Sequence, residues 1–357
     1  MLEKKQRRAI NVFVEFDDKG FDLQVAKEEL LSLAKTAGVE VVGELQQKRE
    51  SPHSKFFIGE GKIQELKDMV ESENANMIIF ENQLSGSKIS NISNYLGVNV
   101  IDRSMLILDI FAGRAKSNEG KLQVQLAQLK YTLPRLKAIS ENTDKFGGGV
   151  GMRGPGESKL ETNRRVVENE IQKKTAELKK LASHRKLNRQ KRMGASKNIV
   201  AIVGYTNSGK SSLLNLLSKE EIFVKNELFA TLDTTTRKAW LGDGKEVLLI
   251  DTVGFINNLP HEFIEAFAST LEECVYADLL LHVVDFSHAN YKNQMQTTVD
   301  LLKKLGATAP IITVYNKIDK FKTGFVVEDD SADSIYISVK KQTNIEKLKS
   351  LIKKKLN

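Results

Sequence analysis

Apolar residues change their spacing along this chain, and the changes divide it into segments. Between residues 8 and 103, short apolar runs at 9–16, 39–45, 77–80 and 98–101 alternate with stretches at 23–37, 63–73 and 87–96 that carry apolar residues at helical spacing. Strand and helix in alternation predict a small α/β domain with a largely parallel sheet. From about Leu106 the pattern becomes helical. Leu122, Leu126, Leu129, Leu133 and Leu136 recur at steps of four, three, four and three, an apolar seam along one helix face. Pro134 lies inside that seam and is expected to kink or end the helix, because it lacks an N–H and its ring crowds the preceding turn.

A second helix is predicted over 157–192, with Leu160, Val167, Ile171, Leu178 and Leu181 at compatible positions. Two apolar seams joined by a short connection predict an antiparallel helical hairpin. The connection, residues 147–156, holds six glycines and a proline and cannot form a helix. Met193, Gly194, Ala195 and Ser196 read as a hinge. Beyond it, strands are predicted at 198–203, 248–250, 311–315 and 335–337, with a helix opening at Ser212. The expected division is therefore an α/β domain over 1–111, a helical hairpin over 112–195 and a second α/β domain over 196–357.

At 357 residues the chain can bury two sizeable cores. Its 41% hydrophobic content and mean hydropathy of −0.31 describe a water-soluble protein. No apolar run approaches the length of a membrane span, and the stretch MLEKKQRRAINVFVEF lacks the apolar core of a signal peptide. Cys274 is the single cysteine, which excludes an internal disulfide and fits a reducing cytoplasm. The five histidines show no metal-ligand spacing, so no transition metal is assigned.

The net charge of +8 becomes informative once located. Residues 112–197 hold 21 Lys and Arg against 8 Asp and Glu, a net of +13, while the remainder holds 33 against 38, a net of −5. A clustered basic surface is the electrostatic footprint of a nucleic-acid partner, although solvated charged helices give the same count. The glycine-rich connection carries Arg153 and is flanked by Lys145 and Lys159. Glycines permit close backbone approach, so it reads as a contact loop for nucleic acid as well as a turn.

Candidate chemistry centres on Gly204, Tyr205, Thr206, Asn207, Ser208, Gly209, Lys210 and Ser211, a glycine, four residues, then Gly-Lys-Ser. This is the phosphate-cradling pattern, and it falls between a predicted buried strand and a predicted helix, as the motif requires. At such a turn the N–H groups of residues 207–211 converge on phosphate oxygens, helped by the positive end of the helix dipole. Lys210 would neutralise the β- and γ-phosphates and the Ser211 hydroxyl would ligate Mg²⁺. A second Gly-Lys pair at Phe56–Lys62 looks like a tight turn into a helix, but it lacks the serine or threonine.

Further motifs follow in order. An apolar run ends in Asp251, Thr252, Val253 and Gly254, where Asp251 can hold Mg²⁺ through water and the Gly254 N–H can sense the γ-phosphate. Asn316, Lys317, Ile318 and Asp319 follow a strand. Asp319 can accept two hydrogen bonds that guanine offers and adenine does not, while Lys317 covers the base. Ser338, Val339 and Lys340 are placed for backbone contacts to the guanine oxygen. One threonine of the stretch Leu228 to Arg237 is expected to ligate Mg²⁺. No short motif is specific alone; the ordered set at strand ends defines a Ras-like G domain that binds GTP and GDP. Phe255 stands where Ras-like enzymes place a water-orienting glutamine, so slow intrinsic hydrolysis is expected.

Phe229-Ala230-Thr231-Leu232-Asp233 followed by Thr235-Thr236-Arg237, together with the phosphate loop and Asp251 to Phe255, resembles the HflX family of translational GTPases, in the Obg-HflX group. Other segments share the likeness: Phe57-Ile58-Gly59 with Gly61-Lys62, Asp102-Arg103 with Leu108 to Phe111, Gly120 to Val124, Arg153 to Glu157, and Lys159 to Thr162. The chain departs from that family's pattern at Thr234, where proline is usual, and at Val339, where alanine is usual. The resemblance implies a ribosome-associated GTPase that binds the large subunit, with the N-terminal domain and glycine-rich tip on ribosomal RNA and a task in splitting or rescuing stalled ribosomes. By the same pattern Thr231 would be the second Mg²⁺ ligand beside Ser211, and Lys210, Ser211, Thr231 and Gly254 the catalytic set. A cytoplasmic monomer without a membrane anchor is expected. An RNA-remodelling protein that does not act on ribosomes is the alternative. A membrane-associated GTPase is disfavoured, because no apolar anchor or lipidation signal is present.

Overall fold

The strand β1 (Arg8–Glu15) is buried along its six central residues, as a strand covered on both faces must be. It begins an alternation of α1 (Leu23–Thr36), β2 (Glu40–Lys48), α2 (Glu60–Ser72), β3 (Met77–Phe80), α3 (Gly86–Leu96) and β4 (Asn99–Asp102). The four strands form one parallel sheet in the order β2-β1-β3-β4, as the alternating periods predict. Ile10, Val12 and Val14 face a core shared with Ile63, Leu66 and Val70 of α2 and Ile92 of α3. α1 packs on β1 and β2, and Asp22 caps it by accepting from the N–H groups of Gln24 (3.1 Å) and Val25 (3.2 Å). This computed structural model describes residues 6–16, 22–143, 159–193, 198–218, 228–229, 232, 235–242, 244–257, 263, 268–321, 329 and 331–357. It separates into one unit of Met1–Gly113 with Val124–Glu177 and a second of Arg114–Gln123 with Leu178–Asn357.

In the first unit, β4 runs directly into α4 (Arg103–Arg114), and the junction is a buried polar node. Asp102 Oδ1 accepts from the Met105 N–H (3.0 Å) and so caps α4. Its Oδ2 accepts from the Leu84 N–H (3.1 Å), from the Tyr131 hydroxyl and from Arg135 Nη2 (3.3 Å). Tyr131 and Arg135 belong to α5 (Asn118–Thr143), and the Arg135 guanidinium lies 3.3 Å from the Tyr131 ring centre. Contact between α5 and the start of α3 is so close that a Cβ at Gly86 would come 2.9 Å from Arg135 Cα.

Two expectations for α5 need correction. Of the two effects expected of Pro134, a kink or an end, the end does not occur: the helix continues through it to Thr143. Pro134 withholds the N–H that a helix would aim at Lys130 O, and around it Arg135 Nη1 donates to Tyr131 O (2.7 Å) and Thr132 Oγ1 to Gln128 O (2.7 Å). Second, the leucine seam is not the most buried face. Of the seam Leu126 is buried and Leu122, Leu129, Leu133 and Leu136 are half-buried, whereas Val124, Ala127 and Tyr131 are all buried. α5 therefore has a second packed stripe, made of smaller and polar-tipped residues that leave no strong apolar period.

α6 (Lys159–Met193) is the other long helix, and Lys174 Nζ donates to Gln125 Oε1 of α5 (2.8 Å). The glycine-rich connection 147–156, with Lys145 and Arg153, lies outside the described residues; of the hinge predicted at 193–196, Met193 ends α6 and 194–196 lie outside them. No helix among the described residues is long and apolar enough to cross a membrane.

The second unit holds β5 (Ile199–Val203), α7 (Lys210–Ser218), β6 (Thr235–Trp240), β7 (Glu246–Asp251), α8 (Ala268–Val275), β8 (Leu279–Asp285), α9 (Tyr291–Leu305), β9 (Ile311–Asn316), β10 (Ser334–Tyr336) and α10 (Ile345–Lys355). Its six strands run in the order β10-β9-β8-β5-β7-β6, parallel except for β6 against β7. β5 sits between β7 and β8 with all five residues buried. Strand order therefore reverses at β5, where open parallel sheets bind ligands beyond their carboxyl ends.

A buried ion cluster in the first unit generates a pH prediction. Arg103 bridges Glu81 Oε1 (2.6 Å) and Glu29 Oε2 (2.7 Å), and Glu81 Oε2 is buried without a hydrogen-bond partner among the described residues. Burial pushes Glu81 up to about 7 against the pull of Arg103. A carboxyl with a raised folded-state pKa contributes stability that is full at low pH and lost as pH rises from about 4.5 to about 7. Urea unfolding of the wild type and Glu81→Gln at pH 5 and pH 8 measures this. The wild type is expected to lose more stability over that interval than the variant; equal losses contradict the assignment.

Candidate functional site

The predicted phosphate loop lies at the carboxyl end of β5, and α7 begins at Lys210. The N–H groups of Lys210 and Ser211 lie in the first turn of α7, where no intrahelical acceptor exists. Two glycines fix the loop. Gly204 has φ +148° and a Cβ there would collide with the Val283 carbonyl oxygen; Gly209 has φ +100° and a Cβ would collide with the Asn316 amide nitrogen. Neither position admits a side chain. Asn207 adopts a left-handed φ of 60° and is exposed, while Thr206 and Ser208 are buried with hydroxyls that have no partner among the described residues.

Lys210 is buried and donates to Tyr205 O (2.7 Å). Burial drives its pKa down to about 8 against the attraction of Asp251, and Lys317 adds a smaller push. The ammonium therefore lies where an anion would restore its charged form. The Ser211 hydroxyl donates to Asp251 Oδ2 (2.6 Å), which joins the first and third motifs. Asp251 ends β7, and Thr252 Oγ1 anchors the next turn on Ile202 O (2.8 Å). Val253 is buried, and Gly254 lies so close to the loop that a Cβ would come 2.9 Å from both Lys210 Nζ and Thr206 Cα. Phe255 is 2% exposed, its ring in a core with Val203, Leu271 and Cys274.

The fourth motif leaves the end of β9. Asn316 Nδ2 donates to Ser208 O (2.9 Å) and Asn316 Oδ1 accepts from the Val339 N–H (3.1 Å), so this amide ties the phosphate loop to the last motif. Lys317, at a left-handed φ of 68°, donates to Asn207 O (2.8 Å) and to Asp285 Oδ2 (2.7 Å). Ile318 and Asp319 form a short 3-10 turn. Asp319 Oδ1 accepts from Ser338 Oγ (2.6 Å), which itself accepts from the Lys341 N–H (3.0 Å). Lys340 is exposed beside them. Phe229 and Leu232 are buried, whereas Ala230, Thr231 and Asp233 lie outside the described residues.

Sequence reasoning left out Asp285 and His282. Asp285 ends β8 at the same sheet edge, and burial opposes its charge, yet the Lys317 ammonium holds the carboxyl below the usual range. The only signal was an aspartate closing an apolar strand. His282 is buried in β8, where desolvation and the Lys210 charge push it down to about 4, leaving a neutral imidazole.

A mainly parallel sheet with a glycine-walled phosphate loop at its reversal point, and with the Asn316–Asp319 turn at the end of β9 two strands away, is the fold of a P-loop GTPase. Three family models match in sequence, "GTP-binding GTPase N-terminal" over 24–112, "GTP-binding GTPase Middle Region" over 114–192 and "50S ribosome-binding GTPase" over 199–317. The chain belongs to the HflX family of GTPases, and guanine nucleotide is its substrate. It is 48% identical to the GTPase HflX of Caldanaerobacter subterraneus subsp. tengcongensis, over 92% of this chain and 76% of that protein. The GTPase HflX of Alkalihalophilus pseudofirmus is 46% identical, over 100% of this chain and 85% of the relative. Among solved structures, a GTP-binding protein from the archaeon Sulfolobus solfataricus in complex with GDP is similar, with a TM-score of 0.50 and 28% identity over 98% of each chain.

Asp285 offers a direct check on this geometry. Asp285→Asn keeps the shape but removes the charge that holds Lys317. A charge-assisted hydrogen bond contributes roughly 1.5–3 kcal/mol, so affinity for fluorescent GDP should fall about tenfold. Unchanged affinity means that the ion pair does not position Lys317.

Proposed function

We propose that this GTPase acts on the ribosome, in the cytoplasm, and that it binds the large subunit through RNA. The observation that carries the reading is the net of +13 over residues 112–197, within a family whose third model is described as a 50S ribosome-binding GTPase. Most of that charge belongs to α5 and α6, and Lys173, Lys179, Lys180 and Arg165 are exposed. Long helices with exposed cations suit a phosphate backbone, whose neutralisation releases counterions. The functional division is then residues 1–111, the RNA-contacting arm 112–195 and the nucleotide-binding part 196–357. Splitting or rescue of stalled ribosomes is the task that fits this arrangement.

Within the nucleotide site the contacts described support the following roles, and that of Thr231 rests on the family resemblance. The loop N–H groups and Lys210 would bind phosphate oxygens, and Asp319, oriented by Ser338, would accept from guanine while Lys317 lies over the base. The Ser211 hydroxyl and the Asp251 carboxylate, 2.6 Å apart, are hard oxygen donors of the type that suits Mg²⁺. Ser211, with Thr231 from the first switch, would hold the ion, and Asp251 would act through water. A bound Mg²⁺ would neutralise charge on the β- and γ-phosphates. Gly254 would donate its N–H to the γ-phosphate. Phe255 is committed to the core and orients no water, so intrinsic hydrolysis is slow and the bound partner supplies the missing stabilisation.

Two experiments test this. Asp319→Asn should weaken GTP relative to xanthosine triphosphate in competition binding; an unchanged preference removes Asp319 from base recognition. Protein bound to a GTP analogue should sediment with purified large subunits, and that binding should weaken steeply with salt. Single-turnover hydrolysis should rise with large subunits, and deletion of 147–156 should blunt the rise while leaving GDP affinity intact. Equal sedimentation with naked RNA, without stimulation by subunits, points to RNA remodelling away from ribosomes.

A further inference from the structure

Tyr205 occupies the second position of the phosphate loop, where a side chain has no obvious work on phosphate, and its ring is 5% exposed. Its backbone is paired with the residue after Asp-x-x-Gly. The Phe255 N–H donates to Gly204 O (3.1 Å) and the Thr206 N–H donates to Phe255 O (2.7 Å), a short parallel bridge between the phosphate loop and the third motif. The side chain extends the same connection, because the Tyr205 hydroxyl accepts from the Asn257 N–H (2.8 Å). Asn257 Oδ1 in turn lies 2.9 Å from Thr297 Oγ1, on the first half of α9, a hydroxyl whose one proton is shared between Asn257 Oδ1 and Asn293 O (3.0 Å).

Residues 255–257 are thus fastened at one end to the phosphate loop and at the other to a helix of the scaffold. Gly254 immediately precedes them and lies against Thr206 and Lys210. Phe255 itself is pinned in the core. With both flanks held, the direction of the Gly254 N–H is set by protein contacts rather than by a mobile side chain. Pre-set donors of this kind stabilise developing charge most, because they need no reorganisation when the reaction occurs.

We propose that Tyr205 is a positioning residue for GTP hydrolysis: through Asn257 and Thr297 its hydroxyl fixes the segment after Gly254, so that the Gly254 N–H is held over the phosphate loop. This rests on residues 204–211 being the nucleotide site. α9 also carries Tyr291, which packs edge-on against Phe286 (5.1 Å) and Tyr315 (6.3 Å), the aromatic layer next to the base-reading turn. The latch therefore joins the phosphate end of the site to the helix that supports its base end.

Tyr205→Phe keeps the ring and both backbone bonds and removes only the hydroxyl acceptor. Thr297→Val removes the other end of the chain at nearly constant shape, and Thr297→Ser restores a hydroxyl. In the full-length protein, Tyr205→Phe and Thr297→Val should each slow single-turnover GTP hydrolysis about tenfold, the effect of one well-aligned hydrogen bond on a barrier. Fluorescent-GDP affinity should stay within about twofold, as expected where phosphate-loop contacts are kept. Thr297→Ser should recover most of the rate, and the double variant should be little slower than either single one, because both cut the same chain. Unchanged rates in Tyr205→Phe and Thr297→Val overturn the proposal. So does a parallel loss of GDP affinity and rate, which assigns Tyr205 to loop stability alone. Wild-type protein that fails to bind GDP or hydrolyse GTP would instead overturn the reading of the site, a result the variants do not produce.

Discussion

The constraint on which the second unit depends is steric. A phosphate loop must bring its backbone N–H groups to an anion, which leaves no room for side chains where the loop meets its neighbours. At Gly204 the neighbour is the Val283 carbonyl on β8, and at Gly209 it is the Asn316 amide at the end of β9. Both contacts lie on the side of the sheet that also holds the Asn316–Asp319 turn. Close packing of the loop against β8 and β9 therefore fixes the distance between the phosphate loop and that turn. Asn316 adds two hydrogen bonds from one amide, its Nδ2 donating to Ser208 O and its Oδ1 accepting from the Val339 N–H.

Charge in the same site is arranged around burial. Lys210 is fully enclosed and its only described acceptor at close range is a carbonyl of its own loop, so burial opposes its charged form. Lys317 has a carboxylate partner in Asp285, and the pair is half-buried at the same sheet edge. The two lysines therefore differ in what an added anion would change: a buried cation whose charge is penalised gains from it, whereas one already paired with a carboxylate gains less.

The first unit solves a related problem with the opposite chemistry. Asp102 collects four donors from β4–α4, the turn before α3 and α5, and so binds the start of the basic arm to a parallel sheet through one buried carboxylate. Removing any single donor leaves the others in place, while removing Asp102 would strand several buried polar groups at once. The close approach at Gly86 is what lets Arg135 reach both Asp102 and Leu84.

The sequence by itself determined the class of both sheets, the position of the phosphate loop, the order of the nucleotide motifs and the location of the positive charge. Each of these is local: a period of two or 3.6, a glycine spacing, or a count over a window. Tertiary structure decided what depends on residues far apart in the chain meeting. The leucine period could not show that α5 also buries Val124, Ala127 and Tyr131, since only the fold brings Tyr131 against Asp102. Pro134 reads in isolation as a kink or an end, yet the helix runs on to Thr143 with Tyr131 and Arg135 on either side of the proline held against Asp102. Asp285, Asn257 and Thr297 carry no motif at all. They matter because a parallel sheet gathers its carboxyl ends on one edge, and only the fold places them beside Lys317 and Tyr205.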